Sequence, residues 1–230
     1  MMYSRTDSSA YVAIDRWEDG VGWLAHPDEP GKRASHVVRG EEGLWILDPL
    51  DTPGVEALID DLGGDVAGIA VCSSYHARDA DRFANRYDVP VSVPAWMGRI
   101  EKRTDAPIRY YQGDLEAGIS VIRMGSIPGV SEAVLSIETH NTLYVPDMMG
   151  TIDPFTVEGE RLGLSLFWRV TPPQSLRYLE PDRVLVGHGE GIFEEATQAL
   201  EYALTGRRRV RRALRENGPA MVRSVVDAVR

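Results

Sequence analysis

A histidine, an arginine and an aspartate fall within four residues in SSYHARDADR (73–82), directly after the apolar run VAGIAVC (66–72). Two more groups of this kind lie far along the chain: Asp147 closes NTLYVPD, and His188 follows RVLVG. Each stands where an apolar strand should pass into a loop, which is where rigid sheets usually present chemistry. Imidazole nitrogens and carboxylate oxygens suit zinc, iron or manganese. Without a metal, the same groups suit proton transfer near neutral pH, with His76 or His188 as base and an aspartate orienting it. Each residue alone also fits a capped loop or a hydrogen-bonded core histidine, and the three converge only if their strands are neighbours. Ser73 and Ser74 stand beside His76, but neither has the G-x-S-x-G context of an activated serine. Cys72 ends an apolar run and reads as inert core.

The elements that must position these residues follow from the apolar patterning. YVAID (11–15), VGWLAHP (21–27), SHVVRG (35–40) and LWILDP (44–49) read as short strands between Asp, Gly and Pro signals. TPGVEALIDDLGG reads as a helix, with Thr52 as cap, Pro53 in the first turn and Gly63-Gly64 at its end. VAGIAVC is the continuous apolar run of a strand covered on both faces. RDADRFANRY places Phe83 and Tyr87 on one helical stripe, and VPVSVPA (89–95) returns to strand. GISVIRMG (118–125), EAVLSIET (132–139), NTLYVPD and RVLVGHG supply the later strands, and a long helix is expected from Ile192 to about Arg215. Strands, βα alternation, strands and βα again suggest two face-to-face sheets with helices outside.

The chain has 230 residues and a net charge of −10, from 35 acidic and 25 basic side chains; only Lys32 and Lys102 are lysines. That length suits one domain spanning 1–230, with a helical C-terminal segment at about 191–230. An acidic surface repels nucleic acid, so none is expected as partner. No run of about 18 apolar residues occurs, so no membrane span is expected. MMYSRTDSSA lacks the basic and apolar regions of a signal peptide. A lone cysteine allows neither an internal disulfide nor a thiolate cluster, and a reducing cytoplasm is the expected home. Nucleotide-binding glycine motifs are missing from the sequence.

Three further features carry alternatives. GRRRVRRALR places six arginines between Arg207 and Arg215, with Val210, Ala213 and Leu214 as an apolar seam. It reads either as a solvated helix or as a contact for an acidic face, such as that of a second copy in a homodimer. The connection at roughly 148–172 is longer than most ordered loops and rich in Met, Leu and aromatics, so it reads as core, pocket cover or subunit contact. Trp17, Trp23 and Trp45 on early strands read as core or hairpin residues.

From about residue 20 to 195 the chain resembles the metallo-β-lactamase fold superfamily. The landmarks are the early hairpins, LWILDP, SSYHARD, the PGVS segment, the strand ending in VPD and the closing GHG. The resemblance implies a four-layer αββα sandwich and an ancestry among metal-dependent hydrolases of esters, thioesters, amides or phosphodiesters. The family's first motif has the form His-x-His-x-Asp-His. Here Ser74 stands for its first histidine, His76 for its second, Arg78 for its aspartate and Asp79 for its third histidine. Val130 replaces the histidine after the Pro-Gly pair, Asp147 matches the bridging aspartate and His188 the final histidine.

The carried-over set therefore implies an incomplete site. His76, Asp79, Asp147 and His188 are the residues that would hold a metal. His76, Asp147 and His188 are the candidates for catalysis. Arg78, a permanent cation where a ligand belongs, is expected to replace the metal's charge by pairing with Asp79 or Asp147. The expectation is a hydrolase-like protein with no metal or one weakly bound zinc, iron or manganese ion, acting on a small-molecule ligand. The alternatives are a mononuclear hydrolase using Asp79, Asp147 and His188, and a non-catalytic binding or assembly protein on the same scaffold.

Overall fold

Apolar alternation with period two divides the second half of the chain between two cores. On the strand Thr142–Val145, Leu143 and Val145 face one apolar cluster while Tyr144 faces the other. Val184 and Val186 likewise oppose Leu185 on Arg183–Val186. Such strands must lie in a sheet covered on both faces. The structure, a computed structural model, describes residues 3–4, 6–127, 130–157 and 159–229.

One sheet has seven strands in chain order: β1 (Val12–Trp17), β2 (Gly20–Leu24), β3 (Ala34–Arg39), β4 (Leu44–Leu47), β5 (Val66–Ala70), β6 (Val91–Pro94) and β7 (Ile108–Tyr111). The first four pair antiparallel in succession, and the rest pair parallel. Parallel neighbours need crossovers. These carry α1 (Val55–Asp60) and α2 (Ala80–Tyr87), whose Leu58, Ile59, Phe83 and Ala84 join the core. The second sheet contains β8 (Ile119–Ile127), β9 (Val130–Ile137), β10 (Thr142–Val145) and β13 (Arg183–Val186), in the order β13-β10-β9-β8. Between β10 and β13 lie a two-stranded ribbon, β11 (Met149–Gly150) with β12 (Gly163–Leu164), and α3 (Leu166–Val170). The helices α4 (Ala196–Leu204) and α5 (Val210–Val229) follow. The inner core joins Trp23, Val37 and Ile46 of the first sheet to Leu135, Tyr144 and Leu185 of the second, while α4 packs on the second sheet's outer face. Helices outside two packed sheets give the expected αββα layering.

Several local expectations need correction. Thr52 does not cap α1; its hydroxyl meets that of Ser8 at 3.0 Å, and Gly54 with φ 85° leads into the helix. The edge strand β7 has no counterpart among the strands expected from the apolar patterning. The long C-terminal helix is broken into α4, a 3-10 turn at Gly206–Arg209 and α5. The break has a cause: Arg209 folds back, donating Nη2–H to the Tyr202 carbonyl at 2.7 Å and pairing with Glu160. Of the foreseen apolar seam, Ala213 is buried against Val157, but Leu214 is 49 % exposed. The 148–172 connection is divided: Met148, Met149, Leu162 and Leu164 are fully buried, while Phe167 and Val170 are exposed. No helix among the described residues is long and apolar enough to cross a membrane.

Candidate functional site

Four chain segments meet where the sheets' strand ends adjoin. The loop after β5 carries His76 and is bonded to β9: Ser74 N–H donates to the Ser131 carbonyl at 2.9 Å, and Ala133 N–H to the Cys72 carbonyl at 2.7 Å. Asp147 follows β10, and its backbone N–H and that of Met148 donate to Glu132 Oε2 at 3.0 and 2.8 Å. His188 follows β13 in a Gly-His-Gly turn. A side chain at position 187 would place its Cβ 2.1 Å from the Pro146 carbonyl oxygen, and Gly189 has φ 99°, so both flanks require glycine. That turn is also laced to the start of β3: Ala34 N–H donates to the Gly187 carbonyl and Gly189 N–H to the Lys32 carbonyl, each at 2.9 Å.

His76, Asp147 and His188 are brought together. Their ligand atoms lie within 4.8 Å of one another, the one such group among the described residues that could hold a metal ion. Asp147 Oδ1 lies 2.8 Å from His76 Nε2 and 3.0 Å from His188 Nε2, while Oδ2 accepts the Ser73 hydroxyl at 2.5 Å. Each imidazole is fixed from behind: His188 Nδ1 meets the Gly31 carbonyl at 2.7 Å, and His76 Nδ1 meets Asp48 Oδ2 at 2.9 Å. Asp48, fully buried, also accepts the Tyr144 hydroxyl at 2.7 Å and Cys72 N–H at 2.7 Å. The His188 ring stacks on Phe155 at 5.3 Å and meets Tyr3 at 5.9 Å.

Arg78 lies beside this cluster in an unexpected pose. Its Nη1 donates to the carbonyls of Ala34 and Asp48, both at 2.7 Å, and Nη2 stands 3.2 Å from His76 Nε2. Among the described residues it pairs with neither Asp147 nor Asp79. Asp79 is outside the cluster: it precedes α2, its Oδ2 accepts Asp51 N–H at 2.8 Å, and Oδ1 lies 3.8 Å from Arg82. Ser74 accepts Ser131 N–H at 3.1 Å. Ser73 is buried with its proton directed at a carboxylate, and Cys72 is buried with its thiol pushed up by burial and by Asp48. The Pro128–Gly129 pair and the Val130 side chain are outside the described residues.

The electrostatics divide the acids. Burial acts to raise the Asp147 carboxyl, but the His76 charge and hydrogen bonds from His188 and His76 hold it well below the ordinary carboxylate range. Glu132, buried beside that anion, is pushed up to about 8 by burial and by Asp147. Burial and Arg78 both drive His76 toward neutrality, yet Asp147 and Asp48 outweigh them and raise its pKa. The shorter 2.8 Å contact then reads as His76 Nε2–H donating to Asp147, with Arg78 as a neighbouring charge. Burial also raises the Tyr3 phenol, reinforced by Asp147.

Similarity to solved structures bears on this arrangement. The DIM-1 metallo-beta-lactamase exposed to ceftazidime superimposes with a TM-score of 0.62 at 14% identity, covering 86% of this chain and 98% of that one. The fold is that of the metallo-β-lactamases. A metallo-beta-lactamase from Pontibacter korlensis gives 0.58 at 14% identity over 85% and 99% of the two chains. One from Hirschia baltica gives 0.54 at 13% over 84% and 97%. No family model and no curated protein matches the sequence.

Within this fold, two imidazoles and a carboxylate are a donor set suited in kind to one divalent ion. His76, Asp147 and His188 are the described residues that could hold such an ion. A guanidinium stands 3.2 Å from one of the would-be ligand nitrogens. Sequence reasoning missed Asp48, Tyr3, Glu132, Tyr144 and Phe155. Asp48 carried a usable signal, since it ends an apolar strand just as Asp147 does.

Proposed function

We propose that the protein is a hydrolase-like member of the metallo-β-lactamase fold group whose metal has been replaced by hydrogen bonds and an arginine. The observation carrying this reading is the placement of Arg78 at 3.2 Å from His76 Nε2, anchored on two buried carbonyls. Its charge offsets the neighbouring carboxylates, above all that of fully buried Asp48, whose burial without a cation would cost several kcal/mol, on the order of a buried ion's desolvation. The chemistry left to such a site is proton transfer: the imidazoles of His76 and His188, oriented by Asp147, accept or return a proton on a small-molecule ligand. Their exchangeable protons are shared along one line, Asp48–His76–Asp147–His188.

Metal analysis tests it. Protein dialysed against zinc, iron(II) or manganese and then desalted should retain far less than one ion per chain, and Arg78→Asp should raise retention. Near-stoichiometric metal in the wild-type chain would overturn the proposal. It would favour a mononuclear centre of His76, Asp147 and His188, a reading supported by the convergence of their ligand atoms. Asp79 has no part in that alternative as placed.

A further inference from the structure

We propose that the N-terminal segment carrying Tyr3, Ser4 and Ser8 is a strap that closes the His76–Asp147–His188 site, with the Tyr3 ring as its plug. Ligand reaches the site only when the strap lifts. The inference rests on contacts and burial, and holds whether the cluster carries a metal or not.

Tyr3 is far from His188 in sequence, yet its ring lies 5.9 Å from the imidazole, tilted by 47°. The Arg33 guanidinium covers the same ring at 5.4 Å. The backbone of Ser4 is held at both polar groups: its N–H donates to Glu29 Oε2 at 2.8 Å, and its carbonyl accepts Arg33 Nη2–H at 2.9 Å. Glu29 and Arg33 are locked to each other by a two-pronged pair at 2.7 and 2.8 Å. The clamp therefore exists independently of the strap and presents one acceptor and one donor to it. Further along, Ser8 hydrogen-bonds the Ala25 carbonyl and the Thr52 hydroxyl.

His188, which the Tyr3 ring meets, is 3 % exposed and His76 beside it 6 %, too little for a ligand to touch either imidazole. The strap's hold is slight by comparison with a sheet edge: among the described residues, two hydrogen bonds at Ser4, two from the Ser8 hydroxyl to Ala25 and Thr52, an exposed Asp7–Arg82 contact at 3.4 Å and one aromatic seat. Among the described residues the Tyr3 hydroxyl has no hydrogen bond. Segments tied by so few contacts open locally at far lower free energy than the whole molecule unfolds. Arg33 directly precedes β3 and bridges to His188 in the lacing to Gly187–Gly189, so the clamp and the covered histidine belong to one corner while the strap is separable from it.

Carbethoxylation of the full-length chain by diethyl pyrocarbonate, read histidine by histidine by peptide mass spectrometry, tests the strap. His188 should react slowly in the wild type and at least about tenfold faster in Tyr3→Ala, the scale expected when a local opening step is removed. Ser4→Pro, which deletes the N–H donated to Glu29, should act in the same direction. His36, fully buried in the core, reports on the fold and should stay protected. The proposal is overturned if His188 reacts as fast as half-buried His26 in the wild type. It is also overturned if both variants leave its rate within about twofold while His36 stays protected. Should a variant expose His36, amide exchange in the wild type decides: Ser4 N–H must exchange well before the β3 amides, and equal protection refutes the strap.

Discussion

Replacing Arg78 by alanine should cost about 2–4 kcal/mol of stability, and the figure follows from what the guanidinium holds. Its Nη1 donates to the carbonyls of Ala34 and Asp48 at 2.7 Å, and both residues are fully buried. Hydrogen bonds to charged groups contribute roughly 1.5–3 kcal/mol each. The two losses are unequal. Asp48 O keeps a second donor, the Ser35 hydroxyl at 3.0 Å, so its carbonyl is not orphaned. Arg78 itself is only partly buried and its Nε–H has no partner, so removing it also relieves a small desolvation cost. Urea unfolding followed by the fluorescence of Trp23 and Trp45, both fully buried, gives the midpoint and slope. With a slope of about 2 kcal/mol/M, the midpoint should fall by roughly 1–2 M at constant slope. Asp79→Ala is the control, because that carboxylate has 28% side-chain exposure and one backbone donor, and should cost less than about 1 kcal/mol. An Arg78→Ala protein within about 0.5 kcal/mol of wild type would refute the view that this cation is a structural part of the site.

Two further outcomes follow from other contacts. Burial works to raise the Glu160 carboxyl, but Arg169 and Arg209 hold it below its ordinary 4.5. A folded value below the unfolded one gives stability that is present above pH 4.5 and lost as pH falls through the lower folded value. The urea midpoint should therefore decline below that pH, and Glu160→Gln should flatten the decline. Gly187→Ala forces a Cβ to 2.1 Å from the Pro146 carbonyl oxygen, where backbone must move. It should lower stability by about 3 kcal/mol or more in the same unfolding assay.

The sheets were legible because alternation and apolar runs report directly on which faces are covered. The run VAGIAVC became β5, and the alternating pattern of NTLYVPD became β10 between two cores. The convergence of His76, Asp147 and His188 was legible only jointly, since each ends a strand and the resemblance supplied the neighbours. Arg78's partners were not legible: a guanidinium beside two aspartates in sequence bonded carbonyls of β3 and β4 ends instead, a choice made by tertiary packing. Asp79 turned outward because α2 begins there and the Asp51 amide claims its carboxylate. The break between α4 and α5 depended on Arg209 reaching back to Tyr202 and across to Glu160, contacts that helical periodicity does not encode.

The lacing of the Gly187–Gly189 turn to Lys32 and Ala34 gives His188 two masters. Its chain position descends from the second sheet, but its backbone neighbours and its Nδ1 acceptor, Gly31, belong to the approach of the first. The imidazole thus spans the seam of the sandwich like a gauge across a joint. Any slip of one sheet over the other would register at this ring before it disturbed either core, making a single histidine resonance a reporter of how the two layers are seated.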